Sequence, residues 1–370
     1  MRAYRTIKIR IYPNKIQKNI IEATFDCCIR LRNLMLEELI TNHKKTGKLK
    51  IFDVKSYINQ NGGFKNIDTL SFYSVQFELE EAFKQSVSKG SYPEFVSLKR
   101  RTKSYVTTNK FGGLLISKNH LKIRKLGNVR AVVNVDIDSS KVSSIEIRKC
   151  SDGTYFAYLT TQKEIKYDKK KPIKVLGLDY KSDGLYIDNN GNIGTNHRYF
   201  RESEKKIAKI QQNLSRKCGG IKGQENSNNY NKQMIKLDKA YTKIKNQRKD
   251  NLHKISTALA NEYDAIAVED ISMVQIVEDK KLNLGKSTYD NGYYTFVKML
   301  EYKLNERGKT LVKINKYFPS TKKCSKCGTI RKMELDDRLY ECSNCGLKID
   351  RDLNAAINIK KEGERILGIL

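Results

Sequence analysis

The strongest constraint on the fold is a set of four cysteines near the C-terminus, arranged as two Cys-x-x-Cys pairs. They are Cys324 and Cys327, followed after fourteen residues by Cys342 and Cys345. Two such pairs can fold into a small ribbon that places four thiolates tetrahedrally around one Zn²⁺. Because protein ligands would fill every coordination position, this zinc is expected to stabilise the fold and to perform no chemistry. Catalytic residues must therefore lie elsewhere.

The charge balance predicts a polyanionic partner. The 370 residues include 72 Lys and Arg against 41 Asp and Glu, a formal net charge of +31. Such a charge repels itself unless a polyanion neutralises it, and nucleic acid is the natural candidate. An anionic membrane surface is the alternative, but we find no apolar run of spanning length and no signal-peptide core. The remaining cysteines lack framework spacing and are interpreted as free thiols of a reducing, intracellular compartment: Cys27, Cys28, Cys150 and Cys218.

The N-terminal half combines strand and helix patterns. Residues 5–12 alternate basic and apolar side chains, which is typical of a strand with one buried face. Apolar residues at helical spacing predict helices over about 14–43 and 74–88. Short alternating runs then predict strands at 113–117, 121–123, 129–137, 144–147 and 155–161. We expect a small antiparallel barrel or sheet that the opening strand joins, followed by an exposed lysine-rich linker over 163–171.

The C-terminal half has a different pattern. Residues 174–179 and 264–269 are near-continuous apolar runs of the kind found in central strands, and 185–188 followed by Asn-Asn-Gly predicts a hairpin partner. Helices are predicted at about 202–217, 231–262 and 293–307, and a third strand at 310–315. Strands that alternate with helices indicate an α/β sheet.

Three carboxylates near the predicted strand ends are the candidate catalytic residues. Asp179 and Glu269 end the two apolar runs, and Asp352 lies just beyond the cysteine ribbon. Because α/β folds bind ligands at the carboxyl edge of the sheet, these three side chains can converge there. Such a cluster would bind hard divalent cations, and two Mg²⁺ about 4 Å apart could activate a water and stabilise the leaving oxygen of a phosphodiester. That is nuclease chemistry.

An ordinary structural role is the alternative for each of these residues, because acidic residues at strand ends are commonly helix caps or solvated turns. Neighbouring carboxylates also compete for the site: Asp183, Asp188, Asp270 and Asp350. Two of them belong to the predicted hairpin, and Asp270 would face away from Glu269 if the strand continued. Only one residue of each adjacent pair can face the site.

Several motifs resemble the TnpB family of transposon-encoded, RNA-guided DNA endonucleases, which are similar to the ancestors of type V CRISPR effectors. The C-terminal motifs are Gly177-Leu178-Asp179, Val268-Glu269-Asp270, Phe318-Pro319-Ser320, both Cys-x-x-Cys-Gly pairs and the run from Asp350 to Ile359. Further matches in family order are Tyr12-Pro13, Asn33, Pro93-x-Phe95 and His253-Lys254-Ile255-Ser256. The resemblance covers essentially the whole chain, and the motifs of the C-terminal half are highly specific.

The resemblance implies a fold class as well as domain boundaries. The fold would be α+β and multidomain, with an RNase H-like RuvC α/β nuclease domain, a Cys₄ zinc ribbon, and an N-terminal wedge-type β-barrel with a helical recognition insertion. The implied boundaries are 1–13 and 91–168 for the wedge-type domain, 14–90 for the helical insertion, 169–317 and 349–370 for the nuclease domain, and 318–348 for the target-binding zinc ribbon.

The resemblance also implies a function, a Mg²⁺-dependent endodeoxyribonuclease. Asp179, Glu269 and Asp352 would hold two catalytic Mg²⁺, with Asp352 and not Asp350 at the family position, and the four cysteines would hold one structural Zn²⁺. The implied partners are a guide RNA derived from the transposon end and double-stranded target DNA beside a short motif that the protein reads. The protein would be monomeric on its RNA, in a prokaryotic cytoplasm and at the nucleoid when bound to DNA.

Two other functions remain open. An RNA-guided repressor or transposition regulator would have the same fold and bind DNA without cleavage, although the intact set of three carboxylates favours cleavage. A zinc-ribbon protein that binds nucleic acid without a guide is the third hypothesis.

Candidate nucleic-acid contacts are more dispersed. Residues 99–105 combine cations, hydroxyls and the ring of Tyr105, which suits contacts to phosphates and bases. Possible readers of the adjacent DNA motif, by analogy with the family, are Tyr4, Lys55, Tyr57 and Asn59. His253 is interpreted as an RNA or interdomain contact and not as a metal ligand. The chain departs from the family at Asp290-Asn291-Gly292-Tyr293-Tyr294, a lid-like segment in which relatives often have another aromatic.

Overall fold

The computed structural model describes residues 2–49, 52–109, 113–164, 172–195, 197–217, 227–272, 292–334 and 337–369. The chain divides into two compact units, Met1–Ile165 and Lys166–Leu370. Most of the predicted linker, Cys218 and the Asp290-Asn291 pair lie outside the described residues.

The first unit is a seven-stranded antiparallel sheet with helices against it. The strands are β1 (Arg2–Tyr12), β2 (Lys103–Thr108), β3 (Leu115–Ile116), β4 (His120–Ile123), β5 (Gly127–Val132), β6 (Val142–Lys149) and β7 (Tyr155–Glu164), in the spatial order β2-β6-β7-β1-β5-β4-β3. The helices are α1 (Lys15–Thr46), α2 (Val54–Gln60) and α3 (Leu70–Val87). Because β1 pairs with both β5 and β7, the prediction that the opening strand joins the later ones is confirmed.

This sheet is open, so the wedge-type barrel expected from the resemblance is not formed in the part of the chain that the structure describes. Strands β2 and β3 lie at opposite edges and do not pair with each other. The physical reason is that helices, and not a second layer of the same sheet, cover the apolar face. Ile9 and Ile11 of β1 share one core with Phe25 of α1 and Phe72 of α3. A sheet whose apolar face is already covered gains little by closing on itself.

Local sequence signals explain how α1 begins and docks. Asn14 and Gln17 form a capping box, in which Asn14 Oδ1 accepts from the Gln17 amide at 2.9 Å and the Asn14 amide donates to Gln17 Oε1 at 3.0 Å. Farther along the helix, Glu22 accepts from Lys149 Nζ at 2.7 Å and from the Tyr155 hydroxyl at 2.8 Å. These contacts fix the rotation of α1 on the sheet.

The second unit is built on a four-stranded sheet. Its strands are β8 (Val175–Tyr180), β9 (Tyr186–Asp188), β10 (Ala265–Glu269) and β11 (Thr310–Ile314), in the order β11-β10-β8-β9. Strand β10 is parallel to β8 and β11, and β9 runs antiparallel to β8 as the predicted hairpin requires. The helices are α4 (Tyr199–Ser215), α5 (Asn228–Glu262), α6 (Tyr293–Asn305) and α7 (Arg351–Ile366).

Both faces of this sheet are covered, which explains its near-continuous apolar strands. On one face Leu178 and Val268 pack with Leu252 of α5 and Phe296 of α6. On the other face Ala267, Val312 and Ile314 pack with Ile359 of α7. The α/β arrangement predicted from the alternation of strands and helices is therefore observed.

The cysteine segment forms a small ribbon between β11 and α7. It contains a two-stranded antiparallel sheet, β12 (Leu339–Glu341) and β13 (Lys348–Asp350). Tyr340 is fully buried, and its hydroxyl lies 3.3 Å and 3.2 Å from the carbonyl oxygens of Lys322 and Thr329. Tyr340 is thus the largest buried side chain of the ribbon core, which it shares with Cys324 and Cys342. In the ranges that the structure describes, we find no helix with the length and apolar character that crossing a membrane requires.

Candidate active site

Parallel pairing places two of the predicted carboxylates side by side. Leu178 of β8 is in register with Val268 of β10, so the residues that follow, Asp179 and Glu269, lie at the same carboxyl end of neighbouring strands. Asp352 lies in the first turn of α7, the helix that packs against β8 and β10. The structure therefore brings the three predicted carboxylates to one edge of the sheet.

Both of the other carboxylates affect the electrostatics of Asp179. Asp179 is 8% exposed, and burial raises its pKa well above the ordinary value, with the charges of Glu269 and Asp352 raising it further. Burial also raises the pKa of Glu269. The hydroxyl of Ser320 donates a hydrogen bond to Glu269 Oε1, and this bond lowers the same pKa. A cation bound beside Asp179 would favour its charged form.

Very close contact between β8 and α7 sets the distance between Asp179 and Asp352. A Cβ at Gly177 would lie 2.3 Å from the carbonyl oxygen of Ala356 and 2.5 Å from the amide nitrogen of Lys360. Ala355 and Ala356 are fully buried at the same contact region of α7. The small residues on both elements let the backbone of the helix approach the strand, which explains why Gly and Ala-Ala accompany the two acidic residues.

Two asparagines, which the sequence analysis did not single out, join α7 to the first cysteine loop. Asn354 is fully buried; its Oδ1 accepts from the Ser325 amide at 2.9 Å, and its Nδ2 donates to the Lys323 carbonyl at 2.8 Å. Asn358 Nδ2 donates to the carbonyls of Ser320 at 2.8 Å and Lys323 at 2.6 Å. Their spacing of four residues on a helix was the available signal, because it places both amides on one face.

Tyr293 forms part of the wall beside the carboxylates. It is 2% exposed, and burial together with the charges of Asp179 and Glu269 raises its pKa. Its ring packs edge-on against Tyr180, with 4.9 Å between the ring centroids. The departure from the family pattern at this position therefore affects a buried residue next to the site.

The competing carboxylates have other positions. Asp188 is buried and accepts from the amides of Asn190 and Asn192, so it stabilises the turn after β9. Asp350 caps α7 by accepting from the Leu353 amide at 2.9 Å. Asp270 is exposed beyond the end of β10. The structural alternative thus describes Asp188, in a turn, and Asp350, at a helix cap.

The four cysteines form a cluster that can bind zinc. Within the described residues, they are the group of His, Cys, Asp or Glu side chains whose ligand atoms all lie within 4.8 Å of one another. Two of the Sγ–Sγ distances are 3.6 Å and 3.5 Å, close to the roughly 3.8 Å edge of a tetrahedron with Zn–S bonds of about 2.3 Å. Hydrogen bonding with Thr329 lowers the pKa of Cys327 to about 5, which favours the thiolate that binds metal.

A second surface, in the first unit, alternates cations with aromatic rings. We call it the basic aromatic face, and its residues are Lys8, Arg10, Tyr12, Arg130, Arg148, Phe156 and Tyr158. Lys8 Nζ lies 3.9 Å from the ring centroid of Phe156, and the guanidinium carbon of Arg148 lies 4.8 Å from that of Tyr158. The face is on the side of β1, β5, β6 and β7 opposite the buried residues of these strands, with all seven residues at least partly exposed.

The other predicted contact residues have mixed outcomes. The prediction that Tyr105 contacts bases was wrong. Its side chain is 3% exposed and packs edge-on against Phe25, because it occupies an inward position of β2. Lys103 of the same segment pairs with Asp26 at 2.7 Å. Tyr4 is 66% exposed, and its hydroxyl accepts from Gln162 Nε2 at 2.9 Å; its role in reading the DNA motif stays a prediction. The carbonyl of His253 accepts from Lys303 Nζ at 2.7 Å, and its role as an RNA contact stays a prediction.

Comparison with solved structures defines the class of this fold. The chain is similar to a Cas12f1 from a complex with sgRNA and target DNA, with a TM-score of 0.59 and 13% identity, over 97% of this chain and 99% of that one. The fold is therefore Cas12f-like, with mixed α/β content and a cysteine cluster.

Sequence comparisons confirm the resemblance to the TnpB family. Three family models match: a "Helix-turn-helix domain" over residues 1–48, which form β1 and α1 here, a "Probable transposase" over 157–278, and a "Cas12f1-like, TNB domain" over 293–359. A "Putative RNA-guided DNA endonuclease" of Streptomyces pristinaespiralis is 27% identical over 97% of this chain and 89% of that protein. InsQ of Escherichia coli K12, named in the same way, is 27% identical over 78% of this chain and 73% of its own length, and the mimivirus TnpB-like protein L770 is 24% identical over 96% and 72%.

Proposed function

We propose that this protein is an RNA-guided DNA endonuclease of transposon origin that hydrolyses target DNA with Asp179, Glu269 and Asp352. The observation that carries the proposal is the convergence of these carboxylates at one sheet edge, where the parallel strands β8 and β10 end side by side and α7 packs against both. The names of the relatives, which are RNA-guided DNA endonucleases and TnpB-like proteins, support the guided reaction. The finer architecture that we propose is an RNase H-like RuvC domain with an inserted zinc ribbon.

The residues of this edge fit Mg²⁺. All three offer carboxylate oxygens, the ligand type that Mg²⁺ prefers. The pKa of Asp179 is raised first by burial and then by the charges of Glu269 and Asp352, and a bound divalent cation would oppose both effects. Asp179 and Glu269 would be ligands from the two strands, and Asp352 would be a ligand from the helix. When bound, two Mg²⁺ would supply an activated water and stabilise the leaving oxygen of the phosphodiester.

The surrounding residues hold these ligands in place. The hydroxyl of Ser320 donates to Glu269 and so orients one ligand. Asn358 of α7 donates a hydrogen bond to the carbonyl of the same Ser320 at 2.8 Å. Ser320 therefore links Glu269 to α7, the helix that carries Asp352. The buried ring of Tyr293 limits water beside Asp179. A site preorganised in this way loses little free energy in ordering its ligands when the reaction begins.

We further propose that nucleic acid binds chiefly through phosphate neutralisation, which accounts for the net charge of +31. The basic aromatic face is suited to RNA, because its guanidinium and ammonium groups can contact phosphates while its rings stack with exposed bases. The partners would be a guide RNA and double-stranded DNA, with sequence read by pairing to the guide and only a short adjacent motif read by the protein.

The test begins with the RNA that copurifies with the protein. One discrete RNA species supports guidance, and a heterogeneous mixture supports the guide-independent alternative. DNA matched to the sequenced RNA is then incubated with the complex and Mg²⁺. We expect cleavage by the wild-type complex and its loss in Asp179→Asn, Glu269→Gln and Asp352→Asn, with RNA and DNA binding retained. Binding without cleavage by the wild-type complex would instead support the repressor hypothesis.

Asp350→Asn is the matched control for Asp352→Asn. It makes the same chemical change two residues away, at a side chain that caps α7. Asparagine caps helices about as well as aspartate, so this variant should keep the stability of α7 and leave the candidate ligands in place. Cleavage by Asp352→Asn together with its loss in Asp350→Asn would show that the wrong carboxylate had been chosen.

A further inference from the structure

Lys181, the residue after β8, brings an ammonium group to the candidate metal ligands. Its Nζ lies 3.0 Å from Oδ2 of Asp352 and 3.6 Å from Oδ1 of Asp183. The side chains of Lys181 and Asp352 are 18% and 13% exposed. In the surface pair between Lys174 and Glu262, both side chains are 53% exposed. The pair with Asp352 is thus largely withdrawn from solvent, where salt screens a charge pair least.

Both oxygens of Asp352 face cations of the chain. Oδ2 accepts from Lys181, and Oδ1 lies 3.5 Å from Nε of Arg351. An oxygen lone pair that accepts a hydrogen bond from an ammonium is not available to a divalent cation, and the ammonium repels an approaching cation. Among the described residues, by contrast, no lysine or arginine nitrogen lies within 4.0 Å of the carboxylate oxygens of Asp179 or Glu269. The ammonium of Lys181 therefore opposes metal binding at one ligand of the three.

We infer that Lys181 is the counter-ion of Asp352 in the metal-free protein and must leave Asp352 before that carboxylate can bind a divalent cation. The inference deepens the proposed function and rests on it, because it takes Asp352 as a metal ligand. Lys181 is a positioning residue in this account: it neutralises Asp352 beside the buried Asp179 and lowers the affinity of the site for metal. Removal of the ammonium should consequently tighten metal binding, whereas loss of a purely structural contact should weaken it or leave it unchanged.

The test measures metal binding without relying on cleavage. Tb³⁺, an oxygen-seeking cation, is titrated into the full-length, RNA-free protein, and its luminescence is excited through tyrosine, since the chain contains no tryptophan. Tyr180 directly follows Asp179 and is placed to sensitise a bound ion. Mg²⁺ then displaces Tb³⁺ and gives its own apparent affinity. The Mg²⁺-induced rise in melting temperature provides a second readout.

We expect Lys181→Met to bind Mg²⁺ roughly tenfold to a hundredfold more tightly, the fold-change that corresponds to one hydrogen bond to a charged group. The Mg²⁺-induced rise in its melting temperature should be larger than in the wild type. Lys181→Gln, which keeps a polar side chain if the methionine variant folds poorly, should change in the same direction. Lys181→Arg keeps the charge and should retain wild-type affinity. Lys174→Met is the matched control, since it removes the ammonium of the exposed pair with Glu262.

Two outcomes would overturn the inference, and they differ in what else they overturn. If the wild-type protein binds Mg²⁺ and loses that binding in Asp352→Asn, but Lys181→Met and Lys181→Gln bind with unchanged or weaker affinity, only the role of Lys181 is refuted. If the wild-type protein binds no divalent cation and Asp352→Asn behaves identically, the proposed function fails and the inference fails with it.

Discussion

Substitution of Gly177 by alanine would test whether close packing of α7 on β8 positions the candidate site. The added Cβ would lie 2.3 Å from the Ala356 carbonyl oxygen, and an ordinary contact needs about 1 Å more. Because the obstructing atoms belong to the backbone, the helix itself must move. Overpacking of this kind costs about 1–3 kcal/mol, which a gain of about 0.4–1 kcal/mol from the less flexible unfolded chain offsets in part.

The displacement should affect activity more than stability. Asp352 lies on the helix that must move and Asp179 lies two residues after Gly177, so their separation changes directly. A misplacement of about 1 Å can reduce catalysis by roughly 100-fold. We expect Gly177→Ala to lose about 1–2 kcal/mol of stability in urea unfolding and about 100-fold of guided DNA cleavage in single-turnover assays.

Gly62→Ala is the matched control, because a Cβ at Gly62 meets no atom within 4 Å. It should retain both stability and cleavage. The reasoning would be refuted if Gly177→Ala unfolded at the wild-type urea concentration and cleaved DNA at the wild-type rate.

Three other outcomes are expected. Ser320→Ala removes the hydrogen bond that lowers the pKa of Glu269, so the acidic limb of the pH–rate profile should move to higher pH; an unmoved profile would contradict the contact. Asn358→Ala leaves the Ser320 carbonyl without its side-chain donor and removes one of the two asparagine bonds to the Lys323 carbonyl, so it should cost about 1–3 kcal/mol in urea unfolding, against no change if the ribbon holds itself in place. Combined replacement of Arg10 and Arg130 by alanine should weaken RNA binding and reduce its salt slope by about 1 for each lost phosphate contact, and an unchanged slope would exclude the basic aromatic face as the binding surface.

The carboxylates could be located from the sequence because their positions depend on local patterns. A continuous apolar run predicts a central strand, parallel strands end at one edge, and the residue that ends each run is therefore placed without knowledge of the rest of the chain. Asp179 and Glu269 follow this rule. The choice of Asp352 depended on the resemblance to the family, because nothing in the local pattern distinguishes this residue from Asp350, which caps the same helix.

Contacts between distant segments were not predictable in the same way. The bond from Ser320 to Glu269 and that from Lys181 to Asp352 join residues 51 and 171 positions apart. A lysine or serine at these positions has no local signal that identifies its partner. Tyr105 failed for a related reason: basic neighbours suggested an exposed ring, but the alternation of β2 turns that side chain inward against Phe25. The open sheet of the first unit likewise depends on which helices cover it.

The position of the ribbon in the chain would give a zinc bound by its four cysteines an indirect effect on the candidate catalytic site. The chain passes from β11 through the ribbon directly into α7, and Asn354 and Asn358 of α7 hold the loop that carries Cys324. The same loop includes Ser320, the donor to Glu269. If chelation removed the zinc, the loop would lose its anchor at the cysteines and with it the order that aims Ser320 at Glu269. Cleavage should then fall together with zinc content even when Mg²⁺ is saturating, and a zinc-free protein that still cleaves at the wild-type rate would show that α7 alone keeps this loop in place.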